Sequence, residues 1–188
     1  MSLVQLWLPI VVATVLVFFA SFILHAVIQW HRPDFGGFPN EEAVRAAIRA
    51  GKAPAGQYLV PYLSDMKQMK LPEKVRLFEE GPVAYVTLRN PGPPRMGKEL
   101  GLWFLLNLAI CVIAAYIGAK TLPPGASFMQ VCRIVGTIGF VAYAAGPVQE
   151  GIWMGKPWRA VSRELADAIV YALAMGVAFG WLWRATSA

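Results

Sequence analysis

Residues 6–28 read LWLPIVVATVLVFFASFILHAVI, an apolar run interrupted only by Pro9, Thr14, Ser21 and His25. At 1.5 Å per residue a helix of this length covers about 34 Å, enough to cross a hydrocarbon core of about 30 Å. Pro9 falls in the first turns, where a missing N–H costs least. A secretory signal has a basic start and a shorter apolar core. Nothing basic precedes this run, so it reads as an uncleaved membrane anchor.

Working outward, three more runs follow the same logic. The second is Leu100–Ala119, ended by Lys120 and the Pro123-Pro124-Gly125 turn. The third extends from Phe128 to Val148, where Gly146-Pro147 is expected to kink or end it. The fourth covers Leu165–Trp183. The expected fold is an all-α membrane protein: four transmembrane helices, with a small α+β cytoplasmic insertion between helices 1 and 2. Its divisions are residues 1–30 for the first helix, 31–99 for the cytoplasmic segment and 100–188 for helices 2–4.

Composition agrees. Of 188 residues 57% are hydrophobic and 15% charged, against about 25% charged in soluble domains. The net charge of +6 reflects cytoplasmic loops and does not imply nucleic acid. Fourteen of the 17 Lys and Arg residues lie in 31–99 or in the loop 149–164. Only Lys120, Arg133 and Arg184 lie on the other side. Positive charge is retained in the cytoplasm, so both termini are expected outside a bacterial inner membrane, with the lipid bilayer as partner. Trp30, Trp103, Trp153 and Trp158 fall at the inner boundary and Trp7, Trp181 and Trp183 at the outer one, where aromatic belts form.

The 31–99 segment carries its own signals. Asn40 caps a helix opened by Glu41 and Glu42, with Ala43, Val44, Ala47 and Ile48 as its apolar stripe and Gly51 as its end. Pro72 starts a second short helix, and Val83–Leu88 reads as a strand. A core this thin is expected to rest on the membrane surface.

Chemistry is sparse. The two histidines, His25 and His31, are six residues apart, about 600° around a regular helix, so they are expected to face different directions. Haem or chlorophyll on His25 is one reading of a cofactor site. The simpler one is that His25 and Gln29, one turn apart, point into the bundle and bond across a helix interface. His31 with Asp34 offers two donors, too few for a metal site. Arg133 lies five residues into the third span and is expected to snorkel outward. Asn107 is expected to bond between helices, and Asp167 to form a local surface pair with Arg163 one turn earlier. Cys111 and Cys132 read as small buried apolar residues. There is no Walker-type loop, no HExxH and no Ser/His/Asp grouping.

The clearest pattern is steric. Ala168, Ala172, Gly176 and Gly180 recur every four residues, and Gly136, Gly139, Ala142 and Gly146 share one side of the third span. Small residues let helix backbones approach closely, so this face is expected to pack on the third span or on a partner subunit.

Several short stretches carry a resemblance: Leu24-His25 with Trp30-His31, Gly81-Pro82-Val83, Met96-Gly97-Lys98, Thr121 to Ala126, Arg133 with Gly136-Thr137, Ile152-Trp153 with Gly155 to Trp158, and Phe179 to Trp183. Over nearly its whole length the chain resembles a family of small bacterial four-helix membrane proteins of unknown function. The resemblance implies the architecture and an inner-membrane location, and no activity. The sequence reading is therefore a membrane protein without an evident catalytic site or implied cofactor, acting as an accessory or structural subunit of a larger complex. The alternatives are an oligomeric small-solute transporter or channel, and a histidine-ligated redox or pigment protein.

Overall fold

The computed structural model describes residues 2–183; Arg184, counted above on the outer side, lies outside them. The described chain divides into two compact units, residues 2–36 with 95–183, and residues 37–94.

The first unit is a bundle of four helices, each long and apolar enough to cross a membrane. α1 spans Trp7–Phe22 and continues as a π-helical turn, Ile23–Ile28. α4 spans Met96–Thr121, α5 Phe128–Trp153 and α6 Trp158–Leu182. α1 packs on α6 and on α4, α4 on α5, and α5 most extensively on α6, which closes a ring. Leu6, Ile10, Ala13 and Val17, spaced by four, three and four residues, are the buried stripe of α1. They meet a core built from Ile110, Cys111 and Ala114 of α4, Val131 and Val135 of α5, and Met175 and Phe179 of α6. Lipid is as apolar as these side chains, so contact and close packing hold the ring together.

The small residues make that packing possible. A methyl group on Gly139 would lie 2.9 Å from the Met175 sulfur, and one on Gly180 would lie 2.6 Å from the Phe128 ring. Gly176 approaches the Cys132 backbone, and the Cys132 thiol donates to the Gly176 carbonyl at 3.1 Å. Ala168 and Ala172 are buried on the same helix.

Two boundaries differ from the hydropathy reading. α5 runs through Pro147 to Trp153, although an interior proline loses a hydrogen bond and crowds the preceding turn. Close packing of Gly151 against Val161 and Trp158 holds this last part of α5 on α6. The connection to α6 is consequently four residues, not sixteen, and Arg159 and Arg163 are helical. Lys156 in this turn donates to Glu150 at 2.7 Å and to both oxygens of Glu164 at 2.6 and 2.7 Å. Burial disfavours its charge, but the two carboxylates outweigh that and hold its pKa above the ordinary lysine value. Ser127 and Gln130 form a capping box at the start of α5. Trp183 does not sit in an exposed belt: it is fully buried, against Gly118.

The second unit contains α2 (Glu41–Ala50), β1 (Gly56–Val60), α3 (Pro72–Glu80) and β2 (Ala84–Leu88). Asn40 accepts from the Ala43 N–H at 3.2 Å, the cap its sequence calls for. β1 and β2 pair antiparallel, Gly56 opposite Leu88 and Val60 opposite Ala84. No residue of α2 or α3 is buried.

Candidate metal centre

The decisive local event is the way α1 ends. From Ile23 the ladder widens to i→i+5, and the Gln29 N–H donates to the Leu24 carbonyl at 3.1 Å. Gln29 itself is left-handed, with φ of 55°. A non-glycine residue there is uncommon and costs about 1 kcal/mol. The π turn rotates the helix off its 100° step and Gln29 folds the chain back, so Arg32–Asp34 forms a short 3-10 turn with His31 as its cap. As a result the rings of His25 and His31 stack, with centroids 4.6 Å apart and planes within 14°. The expectation that they face different directions is wrong, because it assumed a regular helix.

Asp167 completes the group from α6. Its Oδ2 lies 2.7 Å from His31 Nε2 and 3.6 Å from His25 Nε2. One donor atom from each of His25, His31 and Asp167 can be chosen so that all lie within 4.8 Å of one another. Ligands around one ion at 2.0–2.2 Å stand about 3.0–3.5 Å apart. His25 must therefore draw in and the His31–Asp167 contact must open slightly to seat an ion.

The remaining ring nitrogens are already held. His25 Nδ1 lies 3.1 Å from the Ser21 carbonyl, an acceptor, which fixes Nδ1 as the donor and leaves Nε2 free to ligate. His31 Nδ1 lies 3.1 Å from Asp34 Oδ2. Asp34 in turn accepts from Arg163. A carboxylate or carbonyl behind each imidazole is the arrangement that orients histidines toward a metal. The second oxygen of Asp167, Oδ1, is buried without a hydrogen-bond partner among the described residues. An unmet buried carboxylate oxygen is costly unless something positive meets it.

The structure thus reassigns several residues. Asp34 supports His31 and is not itself a donor in the group. The Arg163–Asp167 surface pair does not form: Arg163 pairs with Asp34, and Asp167 is buried against the histidines. Gln29 is exposed and its amide donates to the Ala26 carbonyl at 3.0 Å, so it does not point into the bundle. Asn107 is buried on α4 and accepts from the Tyr143 hydroxyl of α5 at 2.6 Å. Arg133 is exposed on α5, beside Gly136 and Thr137, and takes no part in the centre. Asp167 is the donor that sequence reasoning missed. Its one signal was a carboxylate placed at the edge of an apolar span, with an arginine four residues before it offering a ready but false partner.

No protein-family model, curated protein or solved structure matches this chain.

Proposed function

We propose that this chain is a multi-pass protein of the bacterial inner membrane that holds one divalent transition-metal ion through His25, His31 and Asp167. Residues 31–99 face the cytoplasm in this reading and both termini lie outside, on the basic-residue asymmetry. The observation that carries the proposal is the convergence of two backed imidazoles on a buried carboxylate whose other oxygen is unpartnered. Two nitrogens and one oxygen, without thiolate, suit Fe(II), Co(II), Ni(II) or Zn(II). This develops the histidine-ligated reading, with a metal ion held by three side chains in place of the haem or chlorophyll considered on His25.

Metal analysis of the protein purified in mild detergent tests it. The expected result is about one ion per chain, lost in His31→Ala and Asp167→Ala variants that keep their thermal transition. A metal-free protein that takes up no added cobalt or zinc would remove the proposal and restore the accessory-subunit reading, which native mass spectrometry would then examine. The orientation is checked by cysteine substitutions at Ser2 and Ser64 in a cysteine-free background: an impermeant reagent should label Ser2→Cys but not Ser64→Cys in intact cells.

A further inference from the structure

The geometry points to an open coordination position: we infer that the ion at His25, His31 and Asp167 exchanges a bound water for hydroxide or another small inorganic anion. This rests on the metal reading above and concerns what the ion does once held.

The first argument is the number of donors. Divalent transition ions of this class take at least four ligands, and two histidines with one carboxylate supply three. Should Asp167 use both oxygens, their narrow bite still occupies one side of the ion, and five- or six-coordination leaves positions free. Among the described residues, most side chains near the cluster that could close the shell are engaged elsewhere. Asp34 is engaged by His31 Nδ1 and by Arg163. The Gln29 amide is turned to its own chain. The Tyr171 ring, one turn beyond Asp167, is packed on Trp103 and Tyr143, with centroids at 6.2 and 5.1 Å; its buried hydroxyl is unpartnered among the described residues, and even as a fourth donor it would leave five- or six-coordination incomplete. Cys132 is engaged by Gly176, and Cys111 is buried in the core beside Ala114. Three-ligand sites of this kind are the ones that bind and activate water, whereas structural sites are filled by the protein.

The second argument is access. The Asp167 side chain is 6% exposed and that of His31 12%, but that of His25 is 50% exposed. The cluster is closed on the α6 side and least covered by protein along His25, near the end of the Trp7–Ile28 span.

The third argument is charge, which selects the kind of ligand. Asp34 and Arg163 cancel as a pair. The ion's two positive charges are then met by the single negative charge of Asp167, leaving one in excess. At the low effective dielectric of a partly buried site, that excess favours an anion over a neutral donor. The exchange moves no electrons: one metal–oxygen bond to water breaks, one bond to the anion forms, and water leaves.

Cobalt-loaded protein provides the test, because the visible spectrum of Co(II) reports its ligands directly. The protein in detergent is loaded with one equivalent of Co(II) and titrated with sodium azide. The expected result is a saturable shift of the visible band at one azide per cobalt, absent when the His25→Ala/His31→Ala double variant is given the same cobalt. Stoichiometric cobalt uptake through the histidines with a spectrum indifferent to azide would mean a closed structural site, overturning this inference and leaving the metal reading intact. Failure to take up cobalt, or equal uptake by the double variant, would overturn both.

Discussion

His25 and His31 lie ring against ring, 4.6 Å between centroids, although they are six positions apart on a chain segment that begins as an ordinary helix. The π turn and the left-handed Gln29 produce that relationship, and both are local departures from the cheapest backbone. Such departures persist where surrounding contacts hold them, and they cluster at working sites.

Gln29 is the direct test of this device. Gln29→Gly should keep the centre and leave stability unchanged or raised by about 1 kcal/mol, since glycine adopts positive φ freely. Gln29→Val should cost more than 1 kcal/mol and lower metal occupancy, because a β-branched side chain resists the left-handed region. Thermal melts and metal content of the two variants check this. Equal metal retention by both would show that the turn is not what positions His31.

Asp34 and Arg163 act through His31. Asp34→Asn should weaken metal binding by about 10- to 100-fold, the usual cost of losing a carboxylate behind a ligating imidazole. Arg163→Met should have an effect of the same sign, through loss of its grip on Asp34. Competition against a calibrated chelator measures both. Glu in place of Asp34, which keeps the charge, should recover part of the loss, and a purely structural role would not distinguish Asn from Glu in this way.

Packing of α5 on α6 is tested by size. Gly180→Leu drives carbon into the Phe128 ring and should cost about 1–3 kcal/mol. Gly125→Leu is no useful control, since its φ of 77° adds strain of its own. Gly101→Leu is suitable, because nothing lies within 4 Å of the position a Cβ would take. A loss of thermal stability confined to Gly180→Leu is the expected outcome.

Lys156 ties the end of α5 to α6 through Glu150 and Glu164. Its pKa is raised in the fold, so its contribution is full at neutral pH and is lost only as pH climbs through the raised value. Both its side chain and the carboxylates are partly exposed, which limits the contribution to about 1 kcal/mol. Lys156→Met should therefore lower the melting temperature by about 2–4 °C at pH 7. The difference from the parent should persist at pH 9 and shrink only in stronger alkali.

The four long helices were legible because each needs about 20 apolar residues in a row, and nothing else in a chain of this size looks similar. The Asn40 cap, Pro72 and the 83–88 strand were legible because their signals are local. The centre was not, for two physical reasons. Placing His25 and His31 from sequence means assuming 3.6 residues per turn, and the real turn between them is wider and then reverses. Asp167 is joined to them only by tertiary folding, while its spacing of four from Arg163 advertises a surface pair that Asp34 pre-empts. Pro147 misled in the opposite direction: a local breaking signal was overridden by the fit of Gly151 against Val161 and Trp158.

The ring order of the bundle also dictates when the centre can exist. α1 is synthesised first, yet its neighbours are α4 and α6, and α6 is the last of the four to emerge. The chain thus carries two donors within its first 31 residues and must wait until residue 167 has been threaded into place before the third arrives. Until then His25 and His31 have no carboxylate from across the bundle, and any ion would be held by imidazole alone. Under the proposed function, metal capture would be a late event of biogenesis, and a retained ion would report that α6 has found its seat.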